Sequence, residues 1–289
     1  MQVASNGRGN SRVRVFALTS LAMLAFAGNS LLCRLALGHT RIDAASFTTL
    51  RLISGAAMLW LVVRLRGGTR SGRGNWASAL ALFAYAVCFS FAYINLSVGT
   101  GALLLFGAVQ ATMIGVGVVR GERLQMPQLV GLVLAVGGLV GLLLPGLSAP
   151  PPLAAALMLG AGVAWGVYSL RGRGAGDSTK VTAGNFLLAV PMALAVSLVM
   201  ARRASLDPAG ISYAVASGAL ASGLGYAIWY TALPALKSAT AAVVQLSVPV
   251  ITTLGGLAFL GEPITLRVTL ASAAILGGIA LVVLGTRRC

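Results

Sequence analysis

The sequence predicts an all-α membrane protein whose ten transmembrane helices form two inverted five-helix repeats around a central cavity. Three observations predict this fold: an apolar composition, ten long apolar runs and an internal repeat. Of the 289 residues, 58% are hydrophobic and 9% are charged, whereas soluble domains are about 45–50% apolar and about 25% charged. Because a soluble core cannot hide that much apolar surface, we expect the chain to lie in a membrane.

Ten runs are long and apolar enough to cross a bilayer, which requires roughly 20 apolar residues per helix. In order they are Val13–Leu37, Ala44–Leu65, Trp76–Leu96, Val98–Val119, Pro127–Gly146, Leu153–Leu170, Val181–Ala201, Ala209–Thr231, Lys237–Leu260 and Leu266–Gly285. The predicted parts of the chain are a cytoplasmic tail at 1–12, a first repeat at 13–146, an extracytoplasmic linker at 147–152, a second repeat at 153–285 and a cytoplasmic tail at 286–289.

The two halves of the chain repeat each other at a nearly constant spacing. Thr100–Leu144 aligns with Thr240–Leu284 at an offset of 140 residues, which brings a Gly-Glu turn and a paired glycine into register. Trp76–Tyr93 aligns with Tyr213–Tyr230 at an offset of 137 residues. Each half holds five helices, and since five is odd, the second half must enter the membrane upside down. Inverted repeats are typical of secondary transporters, which place the substrate site near the bilayer midplane.

Basic residues are distributed unequally between the two sides of the predicted membrane. Fifteen border the side that holds the termini and five border the other side, with Arg51 just inside the second helix. Under the positive-inside rule this excess places both termini in the cytoplasm, as expected for a multi-pass protein of the inner membrane. The net charge of +16 is thus read as a topology signal, and no nucleic-acid partner is expected. The first apolar run resembles a signal peptide, but it continues to Leu37 and is expected to be retained.

Cysteine and histidine usage gives no pattern of metal or catalytic chemistry. Cys33, Cys88 and Cys289 are widely spaced, and two of them fall inside apolar runs. They match no metal-ligand spacing and no disulfide set. His39, the one histidine, lies in a predicted loop, and no Ser-His or Asp pair falls within a span. We therefore expect no metal, no cofactor and no enzymatic activity.

Aromatic side chains recur on one face of the third, sixth and eighth helices. Tyr85, Phe89 and Tyr93 lie four residues apart, and a similar row in the second half ends at Tyr230. Such rings either line a cavity or pack helices together, and near a helix end they lie at the headgroup level. We expect that last position for Tyr93 and Tyr230. The rings assigned to a substrate cavity are Tyr85, Phe89, Trp165, Tyr168, Tyr226 and Trp229.

Four side-chain amides fall at membrane depth, where an unpaired polar group costs several kcal/mol. They are Asn29, Gln110, Asn185 and Gln245. Each either contacts the ammonium and carboxylate of a substrate or makes a hydrogen bond between helices. Asn29 and Gln245 are the candidates for the cavity, because they fall near the middle of the first and ninth helices.

Charged residues inside or beside the spans are few. Arg51 is expected near the outer surface, where its side chain reaches the headgroups or holds a loop. Glu122 and Glu262 occupy turns, where we expect each to cap the helix that follows it, as Asp43 and Asp207 precede predicted helix starts. No Asp, Glu or His lies in the middle third of any span. We therefore expect facilitated export or exchange instead of proton coupling.

Proline and glycine positions predict how the helices bend and approach. Pro249 predicts a kink in the ninth helix, and the fourth helix has Val109 in its place, which predicts no kink there. Paired glycines on the fifth and tenth helices allow helices to approach and slide, or to seal a homodimer. The residues assigned to gating and helix mechanics are Pro249, Gly137, Gly138, Gly277 and Gly278. We expect a monomer or a weak homodimer.

The sequence resembles a known family at these positions. The resemblance rests on the two repeats, Arg51 at the head of the second helix, Leu260-Gly261-Glu262 after Pro249, and Gly277-Gly278 in the tenth helix. These features resemble the EamA-type, ten-helix branch of the drug/metabolite transporter superfamily over residues 13–285. Asn29–Leu37 and Ser46–Arg51 most resemble amino-acid and metabolite exporters of the YddG type. The resemblance implies an inner-membrane exporter that works by alternating access around a central cavity.

The predicted function is export of small neutral metabolites, with apolar or aromatic amino acids as the leading substrates. The expected partners are that small-molecule substrate and the lipid bilayer. An efflux carrier for drugs or other metabolites is the alternative in the same class, but lipophilic cations would need a carboxylate in the cavity. A membrane-embedded enzyme or a scaffold without a cavity is the alternative from a different class.

Overall fold

Helices account for the regular structure in the described part of the chain. The computed structural model describes residues 3–67, 73–121, 124–146, 149–172, 176–236 and 238–285, and no strand occurs in these ranges. Ten helical stretches there are long and apolar enough to span a membrane. The predicted all-α fold with ten spans is therefore confirmed.

The first seven spans are single helices, and the eighth and ninth are composite. The single helices are α1 (Val3–His39), α2 (Ala44–Arg66), α3 (Trp76–Tyr93), α4 (Val98–Val119), α5 (Met126–Leu143), α6 (Pro152–Arg171) and α7 (Ser178–Val199). The α8 span joins Pro208–Ala216, a π-helical segment at Ser217–Leu224 and Gly225–Ala232; the α9 span joins Ser238–Gln245 and Ser247–Leu260; and α10 is Leu266–Gly285. The α1 helix thus begins at Val3, ahead of the predicted start of the span at Val13.

The break in α9 and the continuity of α4 follow from one difference between the repeats, which have Pro249 and Val109 at the equivalent position. The α9 span is interrupted at Leu246, three residues before Pro249. Proline has no N–H, so Pro249 cannot donate to the carbonyl of Gln245 four residues earlier. The α4 helix, with Val109 in place of the proline, is continuous. The predicted difference between the two helices is therefore present.

Aspartate caps fix where several helices begin. Oδ1 of Asp43 accepts hydrogen bonds from the N–H groups of Ala45 and Ser46, both at 3.0 Å. The carboxylate of Asp207 accepts one from a backbone N–H of the first turn of α8, at 3.2 Å. Both predicted caps are present. Burial opposes ionisation of Asp43, but hydrogen bonds from Ser46, Ser205 and Ala45 outweigh it and lower the pKa of this carboxyl.

The main contacts between the two halves come in matched pairs. Each helix has a counterpart in the other half, five helices later or earlier. The α5–α10, α2–α7 and α4–α9 contacts each join a helix to its own counterpart. The α3–α6 contact is matched by α1–α8, the α4–α6 contact by α1–α9, and the α3–α7 contact by α2–α8. Each half therefore meets the other through nearly the same set of helices.

The α5 and α10 helices pack backbone to backbone through glycines. A Cβ atom added to Gly278 would lie 2.4 Å from the carbonyl oxygen of Gly131, and one added to Gly138 would lie 2.8 Å from a side-chain carbon of α10. A Cβ atom added to Gly137 or Gly277 would meet no atom within 4 Å. Gly138 and Gly278 thus each lie in the contact between α5 and α10 within one chain. The roles of all four glycines in gating or dimerisation stay predictions.

We expect Gly278→Ala to lower the melting temperature of the purified protein, because its methyl group overlaps the α5 backbone and overpacking costs about 1–3 kcal/mol. Gly277→Ala is the matched control, since it makes the same change one residue away into open space. Size-exclusion chromatography after heating measures both variants in the same detergent. Equal melting temperatures for the two variants would contradict the backbone contact.

Candidate functional site

A cavity of about 600 Å³ lies between the two halves, within the range of small-molecule sites. All eight side chains that the sequence assigns to a substrate cavity line it, namely Asn29, Tyr85, Phe89, Trp165, Tyr168, Tyr226, Trp229 and Gln245. They come from α1, α3, α6, α8 and α9. Both halves therefore contribute to one space, and substrate binding by these residues stays a prediction.

The cavity opens at the face of the bundle where α1 begins and α10 ends, which we call the entry face. Lining residues near helix ends on this face are Ser78, Gly172, Ser178 and Leu236. From there the lining extends past the middle of α1 and α3 to Ser30 and Phe89. The opposite face, where α1 ends and α10 begins, is called the sealed face.

Trp165 of α6 lies at the centre of an aromatic cluster that joins the halves. Its ring stacks on that of Tyr226, with centroids 5.4 Å apart and planes 19° apart, and on that of Tyr168 at 5.3 Å and 28°. Tyr85 of α3 packs against the same indole at 4.9 Å. Phe26 of α1 contacts Tyr226 at 5.5 Å. These rings form a wall suited to an apolar or aromatic group.

A hydrogen-bonded set of side chains lies beside this wall at mid-depth. Asn29 Nδ2 donates to the Tyr85 hydroxyl at 3.3 Å, and Asn29 Oδ1 accepts from the Ser217 hydroxyl at 2.7 Å. A terminal nitrogen of Arg51 donates to the same Tyr85 hydroxyl at 3.1 Å. Ser222 also lines the cavity, and its buried hydroxyl has no partner among the described residues. We call Asn29, Arg51, Tyr85, Ser217 and Ser222 the polar end of the site.

The π-helical segment of α8 carries both serines of the polar end. Two glycines let this segment lie directly against α2. A Cβ atom added to Gly218 would lie 2.1 Å from the carbonyl oxygen of Arg51, and one added to Gly223 would lie 2.9 Å from Cβ of Met58. Single π turns within α-helices are frequent at functional sites, and here the segment carries polar side chains within the span.

The expectation for Arg51 was wrong. Its side chain is 1% exposed, and its guanidinium lies over the rings of Tyr85 at 5.3 Å and Phe89 at 4.9 Å. It therefore does not reach the headgroups. The reason is tertiary: the π-helical segment of α8 covers this part of α2, as the close approach of Gly218 to the Arg51 carbonyl shows.

The headgroup positions expected for Tyr93 and Tyr230 were also wrong. Tyr93 is fully buried, and its hydroxyl donates to the carbonyl of Val98 at 3.3 Å. Tyr230 lines the cavity and accepts a hydrogen bond from Thr182 at 3.4 Å. Proximity to a helix end did not decide their surroundings, because neighbouring helices cover both rings.

The remaining amides have different surroundings. Asn185 lines the cavity but also accepts a hydrogen bond from the N–H of Asn75 at 2.9 Å, which ties α7 to the start of α3. Gln110 is buried on α4 and is not among the lining residues. Gln245 lines the cavity at the break in α9, where Pro249 leaves its carbonyl without the usual helical donor.

Glu262 joins four helix ends on the sealed face. Its Oε1 forms an ion pair with Nε of Arg34 at 2.9 Å, and its Oε2 accepts the N–H of Val98 at 2.6 Å. Arg34 also donates to the carbonyls of Tyr93 and Ile94, at 3.0 and 2.9 Å. Glu262 therefore caps α4 of the first half and not the following helix as expected. Its predicted counterpart, Glu122, lies outside the described residues.

Sequence reasoning missed Phe26, Ser217 and the inward position of Arg51. Phe26 precedes Asn29 by three residues, so helical periodicity alone could have placed it on the same face. Ser217 gave no comparable signal, because a serine within an apolar run is usually bonded to its own helix.

Three comparisons with known proteins bear on the site. Residues 152–284 match the EamA-like transporter family. The chain is 57% identical over 270 residues to the uncharacterized protein PA1977 of Pseudomonas aeruginosa, covering 93% of this chain and 94% of that protein. A protein of known crystal structure shares 20% identity and superposes with a TM-score of 0.67, covering 94% of this chain and 99% of that one. At that identity the crystal structure supports the fold alone.

Proposed function

The chain belongs to the EamA-like transporter family, and from that premise we propose that it exports small neutral metabolites, chiefly apolar or aromatic amino acids. The observation that carries this proposal is the cavity of about 600 Å³ with its aromatic wall and its polar end. Such a site suits a ligand with one apolar part and one part that forms hydrogen bonds. An apolar or aromatic amino acid has both parts, a side chain for the aromatic wall and a backbone ammonium and carboxylate for the polar end.

Cationic drugs fit this cavity less well than neutral metabolites do. The sequence has five acidic residues, and none of the four that the structure describes is among the residues that line the cavity. A lipophilic cation would therefore lose its hydration without gaining a carboxylate partner, which is costly in a low-dielectric site. The lack of a carboxylate among the described lining residues therefore favours metabolite export over efflux of lipophilic cations.

The transport cycle that we propose is alternating access between two inverted repeats. The matched contacts between the halves support an approximate two-fold relation, under which either half can occupy the position of the other. In the described conformation the cavity reaches the entry face, while the Glu262 contacts hold helix ends together on the sealed face. Exchange of these two arrangements would move the cavity opening across the membrane.

The entry face is proposed to be the cytoplasmic one. The excess of basic residues at helix ends on this face supports the assignment, since positively charged loops are retained in the cytoplasm. An exporter in this orientation would load its substrate from inside the cell. Pro249 and the carbonyl of Gln245, which lacks its usual helical donor, would then lie where α9 can bend during the exchange.

Counterflow in proteoliposomes tests the proposed function. Vesicles loaded with unlabelled methionine, threonine or phenylalanine and offered labelled amino acids should accumulate the label transiently without any ion gradient. Uptake that requires an imposed pH gradient at zero membrane potential would contradict the facilitated mechanism. No accumulation of any amino acid, with correctly reconstituted protein, would overturn the substrate class.

We expect Trp165→Ala to raise the apparent KM for an aromatic amino acid by up to roughly tenfold, because the indole lines the cavity and a pair with a ligand ring contributes about 0.5–1.5 kcal/mol beyond burial. Trp60→Ala is the matched control, since this indole is half exposed on the outer surface of α2. The same counterflow assay measures both variants. If the two variants behave alike, Trp165 is a packing residue.

A further inference from the structure

We infer that the polar end of the cavity binds a carboxylate, and that the buried guanidinium of Arg51 gives the site its preference for negative charge. The inference rests on the proposed function and deepens it, because it names the group by which the substrate is selected. It goes beyond the family resemblance, which placed Arg51 at the outer end of a helix.

Arg51 is a buried cation without an acidic partner. Its Nε and one terminal nitrogen are buried and have no hydrogen-bond acceptor among the described residues. The other terminal nitrogen donates to the Tyr85 hydroxyl, a neutral group. Among the described residues the ion pair within bonding distance is that of Arg34 with Glu262. A buried charge in this state is expensive, and a substrate anion nearby would offset part of that cost.

The Tyr85 hydroxyl transmits this charge to the cavity. It accepts hydrogen bonds from both Arg51 and Asn29, at 3.1 and 3.3 Å. A phenol has one proton of its own, and among the described residues no acceptor takes it. Tyr85 lines the cavity, so this proton is available to a bound ligand. The hydrogen bond from Arg51 polarises the hydroxyl and makes it a stronger donor.

Two further donors point to the same kind of ligand. The Asn29 amide has a second N–H beyond the one given to Tyr85, and Asn29 lines the cavity. The Ser222 hydroxyl is buried, lines the cavity and has no partner among the described residues. A set of donors beside a cation is complementary to the oxygens of a carboxylate. An amide or ester in the same position would lack the charge.

The polar end also adjoins the aromatic wall, which fixes how such a ligand would lie. Tyr85 belongs to both, because its ring packs against Trp165 at 4.9 Å while its hydroxyl bonds Arg51 and Asn29. A carboxylate at the Tyr85 hydroxyl would therefore place an attached apolar side chain against Trp165 and Tyr226. Selection then combines negative charge at one end with an apolar surface at the other.

Matched acid and amide pairs test this inference on the purified full-length protein. The probes are phenylalanine and phenylalaninamide, and phenylacetate and phenylacetamide, each titrated while the melting temperature is recorded. We expect each carboxylate to bind roughly 10- to 100-fold more tightly than its amide, as hydrogen bonds to charged groups typically provide. Equal binding of acid and amide, or no stabilisation by either acid, overturns the inference.

Substitutions test whether Arg51 is the source of the preference for a carboxylate over its amide. Arg51→Met should reduce the acid-to-amide ratio to near one, and Arg51→Lys should retain part of it. Arg267→Met is the control, because it removes the same charge from a partly buried position on the sealed face that does not line the cavity. Should Arg51→Met fail to fold, Tyr85→Phe keeps the arginine and removes the hydroxyl, and it should lower the ratio as well. An unchanged ratio in Tyr85→Phe or Arg51→Met overturns the assignment.

Failure of this inference and failure of the proposed function have different signatures. If counterflow transports amino acids and their amides equally well, the protein is a carrier without selection for a carboxylate. If the acids bind with the expected preference but no counterflow occurs, the site recognises carboxylates and export of amino acids is the part that fails.

Discussion

Glu262→Gln is expected to release the sealed face and to shift the protein toward a conformation that is open there. The substitution removes the ion pair with Arg34 and the charge of the acceptor for the Val98 N–H. Charge-assisted hydrogen bonds contribute about 1.5–3 kcal/mol each, so a net loss of about 2 kcal/mol corresponds to roughly a 30-fold shift between the two conformations.

Cysteine labelling measures this shift. In a background without Cys33, Cys88 and Cys289, Leu105→Cys places a single thiol in the cavity lining. A membrane-impermeant maleimide applied from the sealed face should label this thiol faster when Glu262→Gln is present, by roughly the same 30-fold factor. Labelling from the entry face should slow only slightly, because only a minor part of the population moves.

Asp207→Asn is the matched control for this prediction. Asp207 is a carboxylate on the same face that also caps a helix, but it lies in the loop before α8 and is not in contact with Glu262. Its replacement should leave labelling of the cavity thiol unchanged. If both variants label at the rate of the parent protein, the Glu262 contacts are a helix cap without a gating role.

Gly218→Ala is expected to have one of the largest effects on stability among Gly→Ala substitutions in the described part of the chain. The new Cβ atom would lie 2.1 Å from the Arg51 carbonyl oxygen and would also overlap Ser54. A backbone carbonyl within a helix cannot move aside as a side-chain end can, so α8 must separate from α2. Overpacking of this kind costs about 1–3 kcal/mol or more.

Separation of α8 from α2 in Gly218→Ala should also disrupt hydrogen bonding at the polar end. Ser217 precedes Gly218 and donates to Asn29 at 2.7 Å, so a shift of the π-helical segment breaks this hydrogen bond. We therefore expect a lower melting temperature together with weaker binding of every ligand. Gly28→Ala is the control, because a Cβ atom there meets nothing within 4 Å and alanine is the better helix former. A parental melting temperature for Gly218→Ala would contradict the tight α2–α8 contact.

Local chemistry made several features predictable from sequence. Pro249 predicted the break in α9, because the missing N–H is a property of the residue itself. Asp43 and Asp207 were predictable as caps, because a cap depends on positions two or three residues away. The cavity residues Trp165, Tyr168 and Tyr226 could be selected because an aromatic row on one helical face is visible in the spacing.

Local sequence chemistry predicted the wrong surroundings at positions where long-range contacts decide them. Arg51 and Tyr93 lie near helix ends, where lipid headgroups are the usual surroundings, yet α8 and neighbouring helices bury them. Glu262 lies shortly before α10, but its Oε2 accepts the N–H of Val98, which is 164 residues away in sequence. Nothing within a few residues of these positions distinguishes the two outcomes.

The sequence by itself determined the membrane class, the ten spans, the break in α9, the caps at Asp43 and Asp207, and the residue types available to a cavity, because all of these depend on hydrophobicity and on interactions within one or two helical turns. Only the tertiary structure decided which side chains meet: the buried Arg51 on Tyr85, Ser217 on Asn29, and Glu262 on Arg34 and Val98. These pairings depend on how closely helices that are distant in sequence approach, and a glycine such as Gly218 permits that approach without identifying the partner.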